Sequence, residues 1–214
     1  MLKAHHLSRL FGKYTLAKTT QLIASNLEFL QEQQGSQLTE IYALLKARGF
    51  QVQERPLNPY LKLLKTQADF DLEVTFKALD PTKLHDNPYT KRVQIDNYNE
   101  FQVLVKRSSS PLQMVFDCSV YNSTLNINGM LVAKDFSKFN RDKLHVQKEI
   151  YKGPGFVDLK RVSPRQPIQI EFLNFLASFG LDNQLAVCIN ELSSDKEMRL
   201  TAEWLIHLKE FLIA

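Results

Sequence analysis

The stretch Asp69-Phe-Asp-Leu-Glu-Val-Thr-Phe76 alternates without a break: Phe70, Leu72, Val74 and Phe76 fall on one side of an extended chain, Asp69, Asp71, Glu73 and Thr75 on the other. A period of two is what a strand with one buried face and one wet face requires. Working outward, runs of similar texture recur at residues 50–54, 60–64, 100–106, 112–120, 125–132 and 146–151, which makes seven candidate strands in all. Pro56, Pro59, Pro81, Pro88, Ser108-Ser-Ser-Pro111 and Asn122-Ser-Thr124 punctuate the series. Links this short predict antiparallel pairing, because parallel neighbours need long crossovers.

Both flanks of this region change period. Upstream, Leu27, Leu30, Leu38, Ile41, Leu44 and Leu45 recur at three- and four-residue spacing, interrupted at Gly35-Ser36 and stopped near Gly49. Downstream, Phe172, Phe175, Leu176 and Phe179 form one helical stripe ending at Gly180. Leu185, Ile189 and Leu192 begin another, continued by Leu200, Trp204, Leu205, Leu208 and Phe211. These apolar faces need cover, and the economical arrangement lays the first and last helices together on one face of the sheet. The predicted class is α+β, a single domain over residues 25–214.

The formal charge is +4, but it is unevenly placed. No acidic residue precedes Glu28, while Lys3, Arg9, Lys13 and Lys18 supply four positive charges, so the rest of the chain is neutral. Residues 1–24 combine these cations with Ser8, Thr15, Thr19 and Thr20 and with Leu7, Leu10, Phe11, Tyr14 and Leu22 near helical spacing. That cationic, amphipathic composition predicts a mitochondrial targeting segment, cleaved or retained. No apolar run approaches the roughly 20 residues of a bilayer span, so no membrane span is expected.

Near the end of the sheet region stands Tyr151-Lys-Gly-Pro-Gly-Phe-Val-Asp-Leu159, followed by Phe172-Leu-Asn-Phe-Leu-Ala-Ser-Phe-Gly180, Asp195-Lys-Glu197 and Trp204-Leu-Ile-His-Leu-Lys-Glu-Phe211. In this order the segments resemble the Tyr-x-Gly-Pro-x-Phe-x-x-Leu signature, the Gly-terminated helix, the Asp-Lys-Glu element and the terminal Trp-Leu-x-x-Leu-Lys-x-Phe of the mitochondrial acidic matrix protein (mitochondrial glycoprotein) family. Upstream, Leu72-Glu-Val-Thr-Phe76 and Val115-Phe-Asp-Cys-Ser-Val-Tyr121 are similar to its central strands. The resemblance implies a seven-stranded twisted antiparallel sheet flanked by N- and C-terminal helices paired as a coiled coil. It also implies a ring-shaped trimer in the mitochondrial matrix and scaffold or chaperone-like work around mitochondrial translation, RNA and respiratory-chain assembly. It brings no catalytic site and no cofactor. One departure stands out: the family's long acidic loops are missing, and the 80–100 connection sets His85, Lys83, Lys91 and Arg92 beside Asp80, Asp86, Asp96 and Glu100. The expectation is therefore a divergent subunit, in a homotrimer or a heterotrimer with related chains, docked on a large mitochondrial complex.

Candidate chemistry is sparse. His5, His6, His85, His145 and His207 are dispersed, and Cys118 and Cys188 lack any neighbouring thiol motif, so neither a metal site nor a disulfide framework is expected. Cys118 lies in an apolar strand and reads as a buried thiol rather than a nucleophile. Gly153-Pro-Gly155 lacks the Lys and hydroxyl of a phosphate-cradling loop and is a turn. Charge is uneven toward the C-terminus: residues 134–165 hold nine Lys/Arg against four acids, and residues 166–214 seven acids against three bases. Lys138, Arg141, Lys143, Lys160, Arg161 and Arg165 are the candidate phosphate or partner contacts, with RNA the phosphate-bearing partner in view. Leu200, Trp204, Leu208 and Phe211 are the candidates for helix and trimer packing.

Overall fold

In the computed structural model the described residues are 17–30, 36–78, 85–87, 90–93, 99–121, 123–134, 156–158 and 167–213. Two helices, α1 (residues 17–30) and α2 (Ser36–Ala47), precede the strands. The strands are β1 (Gln51–Glu54), β2 (Tyr60–Gln67), β3 (Phe70–Lys77), β4 (His85–Asn87), β5 (Thr90–Val93), β6 (Asn99–Arg107), β7 (Gln113–Tyr121), β8 (Thr124–Ala133) and β9 (Phe156–Asp158). Two helices follow, α3 (Pro167–Ser178) and the 31-residue α4 (Asn183–Ile213). The class is α+β, as the change of period predicted.

Six strands of four to ten residues, β1, β2, β3, β6, β7 and β8, form an antiparallel meander, with the three-residue β9 paired to β8 at its far edge. Only the β3 to β6 step is not sequential, and the separate β4–β5 hairpin, which the sequence reading did not anticipate, lies in the intervening connection. The alternation of residues 69–76 is realised as read: Leu72, Val74 and Phe76 are buried, while Asp71, Glu73 and Thr75 share the opposite face with Leu64, Leu104 and Gln102. Six of the seven candidate strands coincide with observed ones to within a few residues. The seventh, at 146–151, lies outside the described residues.

Residues of α2, α3 and the first half of α4 cover one face. On it, α3 lays its phenylalanine stripe across β3 and β7: Phe175 and Phe179 meet Phe70 edge-on at 6.3 and 5.3 Å, and Phe172 meets Phe116 at 5.7 Å. The first half of α4 adds Leu185, Ile189 and Leu192, all at most 1% exposed. Both α2 and α3 end in the same way, with Phe50 N donating to Leu45 O (2.9 Å) and Leu181 N to Leu176 O (3.1 Å). This six-to-one bond needs a left-handed residue between, supplied by Gly49 (φ 79°) and Gly180 (φ 84°). Asp182 then opens α4, its Oδ1 accepting from Leu185 N at 2.9 Å. Two polar links tie α4 to the sheet: Asn99 Nδ2 donates to Ser193 Oγ (2.6 Å), which donates to Lys77 O (2.9 Å), and Leu125 N donates to Asn183 Oδ1 (2.8 Å).

Candidate interaction surface

Every buried residue of α4 falls between Leu185 and Lys196. Residues 197–213 continue the helix for about 25 Å with no fully buried side chain. Along this half Leu200 and Leu208 are half-buried, Trp204 is 61% exposed and Phe211 80% exposed. The four follow at spacings of four, four and three, which sets them on one stripe of the helix. Ile206 and Ile213 add exposed apolar surface, and α1 contributes Leu22 and Phe29, 55% and 58% exposed. The residues expected from sequence to serve packing are thus brought onto one helix face, on which Trp204 and Phe211 are exposed and Leu200 and Leu208 half-buried.

At the junction between the packed and bare halves of α4 sits a cluster of charges that the sequence reading missed. The Arg199 guanidinium straddles the Glu54 carboxylate of β1 (Nη1 to Oε1 3.1 Å, Nη2 to Oε2 3.0 Å) and donates Nε to Asp195 Oδ2 at 2.7 Å. Lys196, 3% exposed, reaches Glu54 Oε2 at 3.2 Å and Arg55 O at 3.0 Å. Burial pushes the Glu54 carboxyl up, but the Arg199 and Lys196 hydrogen bonds outweigh it and leave the group below the ordinary glutamate value. Burial and the nearby Glu54 charge raise the Tyr42 hydroxyl of α2. The signal available in sequence was the Asp195/Arg199 pair at i, i+4; its partner Glu54, 145 positions away from Arg199, left no mark.

A second charged corner fixes the α3–α4 bend. Arg48 Nη1 donates to Gly180 O (3.1 Å) and Asp182 Oδ1 (2.7 Å), and Nη2 to Gln184 Oε1. Lys65 Nζ donates to Phe179 O (2.7 Å) and lies 5.1 Å from the centre of the Phe50 ring. Both cations sit where α3 presents its last carbonyls, the favourable end of the helix dipole. Burial, then the Arg48 charge, lowers the Lys65 amine.

Cys118 is fully buried, and burial followed by the Asp117 charge pushes its thiol well up; burial likewise raises Cys188. A thiol held neutral in a core is a poor nucleophile. Among the described residues no group of three or more His, Cys, Asp or Glu is placed to hold a metal ion, and no single helix is long and apolar enough to cross a membrane. Lys138, Arg141, Lys143, Lys160, Arg161 and Arg165 lie outside the described residues, as does all but the helical end of the expected targeting segment.

The family model for mitochondrial glycoproteins matches residues 23–212. The chain belongs to the mitochondrial glycoprotein family. Two solved structures are similar to this family member across nearly their whole length. The Trypanosoma brucei p22 protein is 17% identical at a TM-score of 0.63, the match covering 93% of this chain and 99% of that one. A hypothetical Leishmania major protein of unknown function, described as a sequence homologue of human p32, is also 17% identical at a TM-score of 0.63, covering 92% of this chain and 99% of that one. At that identity the likeness carries the fold and no residue role. A search of curated proteins finds no significant match.

Proposed function

We propose that this chain is a non-enzymatic accessory subunit of the mitochondrial matrix. It assembles as a ring-shaped trimer, alone or with related chains, and docks on a large assembly, a respiratory-chain complex or the mitochondrial ribosome. The observation that carries the reading is the bare apolar stripe of α4. A helix half on which Trp204 and Phe211 have no cover among the described residues suits contact with another chain. Family membership supports the mitochondrial address, and the neutral body supports a fixed docked role over that of a freely diffusing acidic protein. The test is native size fractionation of solubilised mitochondria with mass spectrometry across the fractions. Co-migration with one megadalton complex supports docking, whereas elution at about three times the 24.8 kDa chain mass marks a free trimer and refutes it.

A second reading draws on the nine Lys/Arg against four acids of residues 134–165: a chaperone-like trimer that touches RNA through phosphates. Its binding would weaken steeply between low and moderate salt, and salt-insensitive binding would remove its basis.

A further inference from the structure

Between β1 and β2 the chain turns through Arg55-Pro56-Leu57-Asn58-Pro59. Leu57 stands at φ 57°, where a Cβ is crowded and glycine or asparagine is the usual occupant. Its side chain is 60% exposed. A large apolar side chain turned to water on an unfavourable backbone helps folding in neither respect, and local strain of this kind concentrates where a surface is used.

The turn is nevertheless held firmly. Pro56 and Pro59 restrict their own φ angles, Asn58 N donates to Arg55 O at 3.3 Å, and Asn58 Oδ1 accepts from Tyr60 N at 2.9 Å. From beneath, the buried Lys196 ammonium donates to Arg55 O, and the same ammonium and Arg199 grip the adjoining Glu54. The charge cluster on α4 thereby acts as the footing of the turn. Beside the tip lies a recess of about 260 Å³ lined by Gln53, Glu54, Arg55, Asn58, Lys62 and Thr75, among others. Lys62 is paired with Glu73 at 2.8 Å, and Glu54 is paired as described, but among the described residues no carboxylate meets the Arg55 guanidinium.

We infer that this turn is a docking tip: Leu57 enters an apolar pocket on a partner protein, and a carboxylate on that pocket's rim pairs with Arg55 at the mouth of the polar recess. The inference rests on the docked-subunit reading and names the element that makes the contact. Rigidity gives the tip its value, since a pre-set turn loses little freedom on binding.

The experiment places a photoreactive phenylalanine analogue at position 57 of the full chain in intact mitochondria. The same analogue at Leu112, another exposed apolar residue, between β6 and β7, serves as control. The expected result is one adduct specific to position 57, mapped to an apolar segment of another protein with an adjacent Asp or Glu, and reduced at least tenfold by Arg55→Glu. Leu57→Gly is the companion variant, because glycine accepts the positive φ without strain. It should melt no lower than the parent yet lose at least tenfold of its co-migration with the large assembly. An adduct to RNA or to another copy of this chain, equal adducts from position 112, or indifference to Arg55→Glu overturns the inference. If the parent co-migrates and Leu57→Gly does so equally, the tip is wrong and the docked reading stands; if the parent does not co-migrate and position 57 yields no adduct, both fall.

Discussion

Replacing Glu54 by Gln tests whether the charge cluster under α4 is structural or a solvated surface pair. The substitution keeps the shape and one acceptor oxygen but removes the negative charge that Arg199 and Lys196 share. Lys196 has a side chain only 4% exposed, so its ammonium would keep Arg55 O but lose its carboxylate partner, with little access for water in its place. Breaking a fully buried pair costs about 3–5 kcal/mol, and an exposed one about 0–1 kcal/mol. Glu54 retains 29% exposure, which places the expected loss between these limits at about 2 kcal/mol. For a chain of this length that lowers the melting temperature by about 4–8 °C. Lys196→Met should be costly alone and less so beside Glu54→Gln, with a coupling of about 1 kcal/mol or more in the double-mutant cycle. The pH dependence has a definite sign. Because the folded carboxyl lies below its ordinary value of 4.5, its contribution is complete above that pH and is lost as pH falls through the depressed folded value. Urea or thermal melts of the four chains at pH 7 and across the acid range provide the assay. A Glu54→Gln loss under about 0.5 kcal/mol, additive with Lys196→Met and with an unchanged acid limb, would refute the argument.

Gly180→Ala should destabilise by about 1–2 kcal/mol through the backbone alone, because the added Cβ would find Phe50 Cε2 at 3.7 Å and Lys65 Nζ at 3.8 Å, ordinary contact distances; a denaturant midpoint equal to the parent's would show that φ 84° is not required. Trp204→Glu with Phe211→Glu should leave the melting of the protomer within about 0.5 kcal/mol while lowering the mass measured by light scattering, and an unchanged oligomer would separate the stripe from assembly. Neither Cys118 nor Cys188 should react with a thiol-specific reagent before unfolding; fast labelling of the native chain would contradict their burial.

Much of the fold was legible because its signals are local. The alternation of residues 69–76 and the three- and four-residue spacing of Phe172, Phe175, Leu176 and Phe179 each reflect a periodicity that a strand or helix imposes on its own segment. The stop at Gly180 was equally plain, since one backbone angle dictates it. The β4–β5 hairpin escaped notice because its strands, three and four residues long, are too short to establish a period. For the interaction surface the division is sharper. Leu200, Trp204, Leu208 and Phe211 could be placed on one stripe from spacing alone, but whether the sheet would cover that stripe could not be read from it. Leu57 gave no signal at all, because a leucine between prolines says nothing of the sign of its φ.

By itself the sequence determined the α+β class, the six longer strands of the antiparallel meander between helical flanks, and the family resemblance, all properties carried by neighbours in the chain. Only the tertiary structure decided that α4 buries side chains in its first half and none fully in its second. It alone joined Glu54 to Arg199 and Lys196, and Arg48 to Asp182, and it alone set Leu57 outward on a turn footed by a buried lysine. These depend on which residues meet across more than a hundred positions of chain, and that meeting is settled by how the helices seat on the sheet.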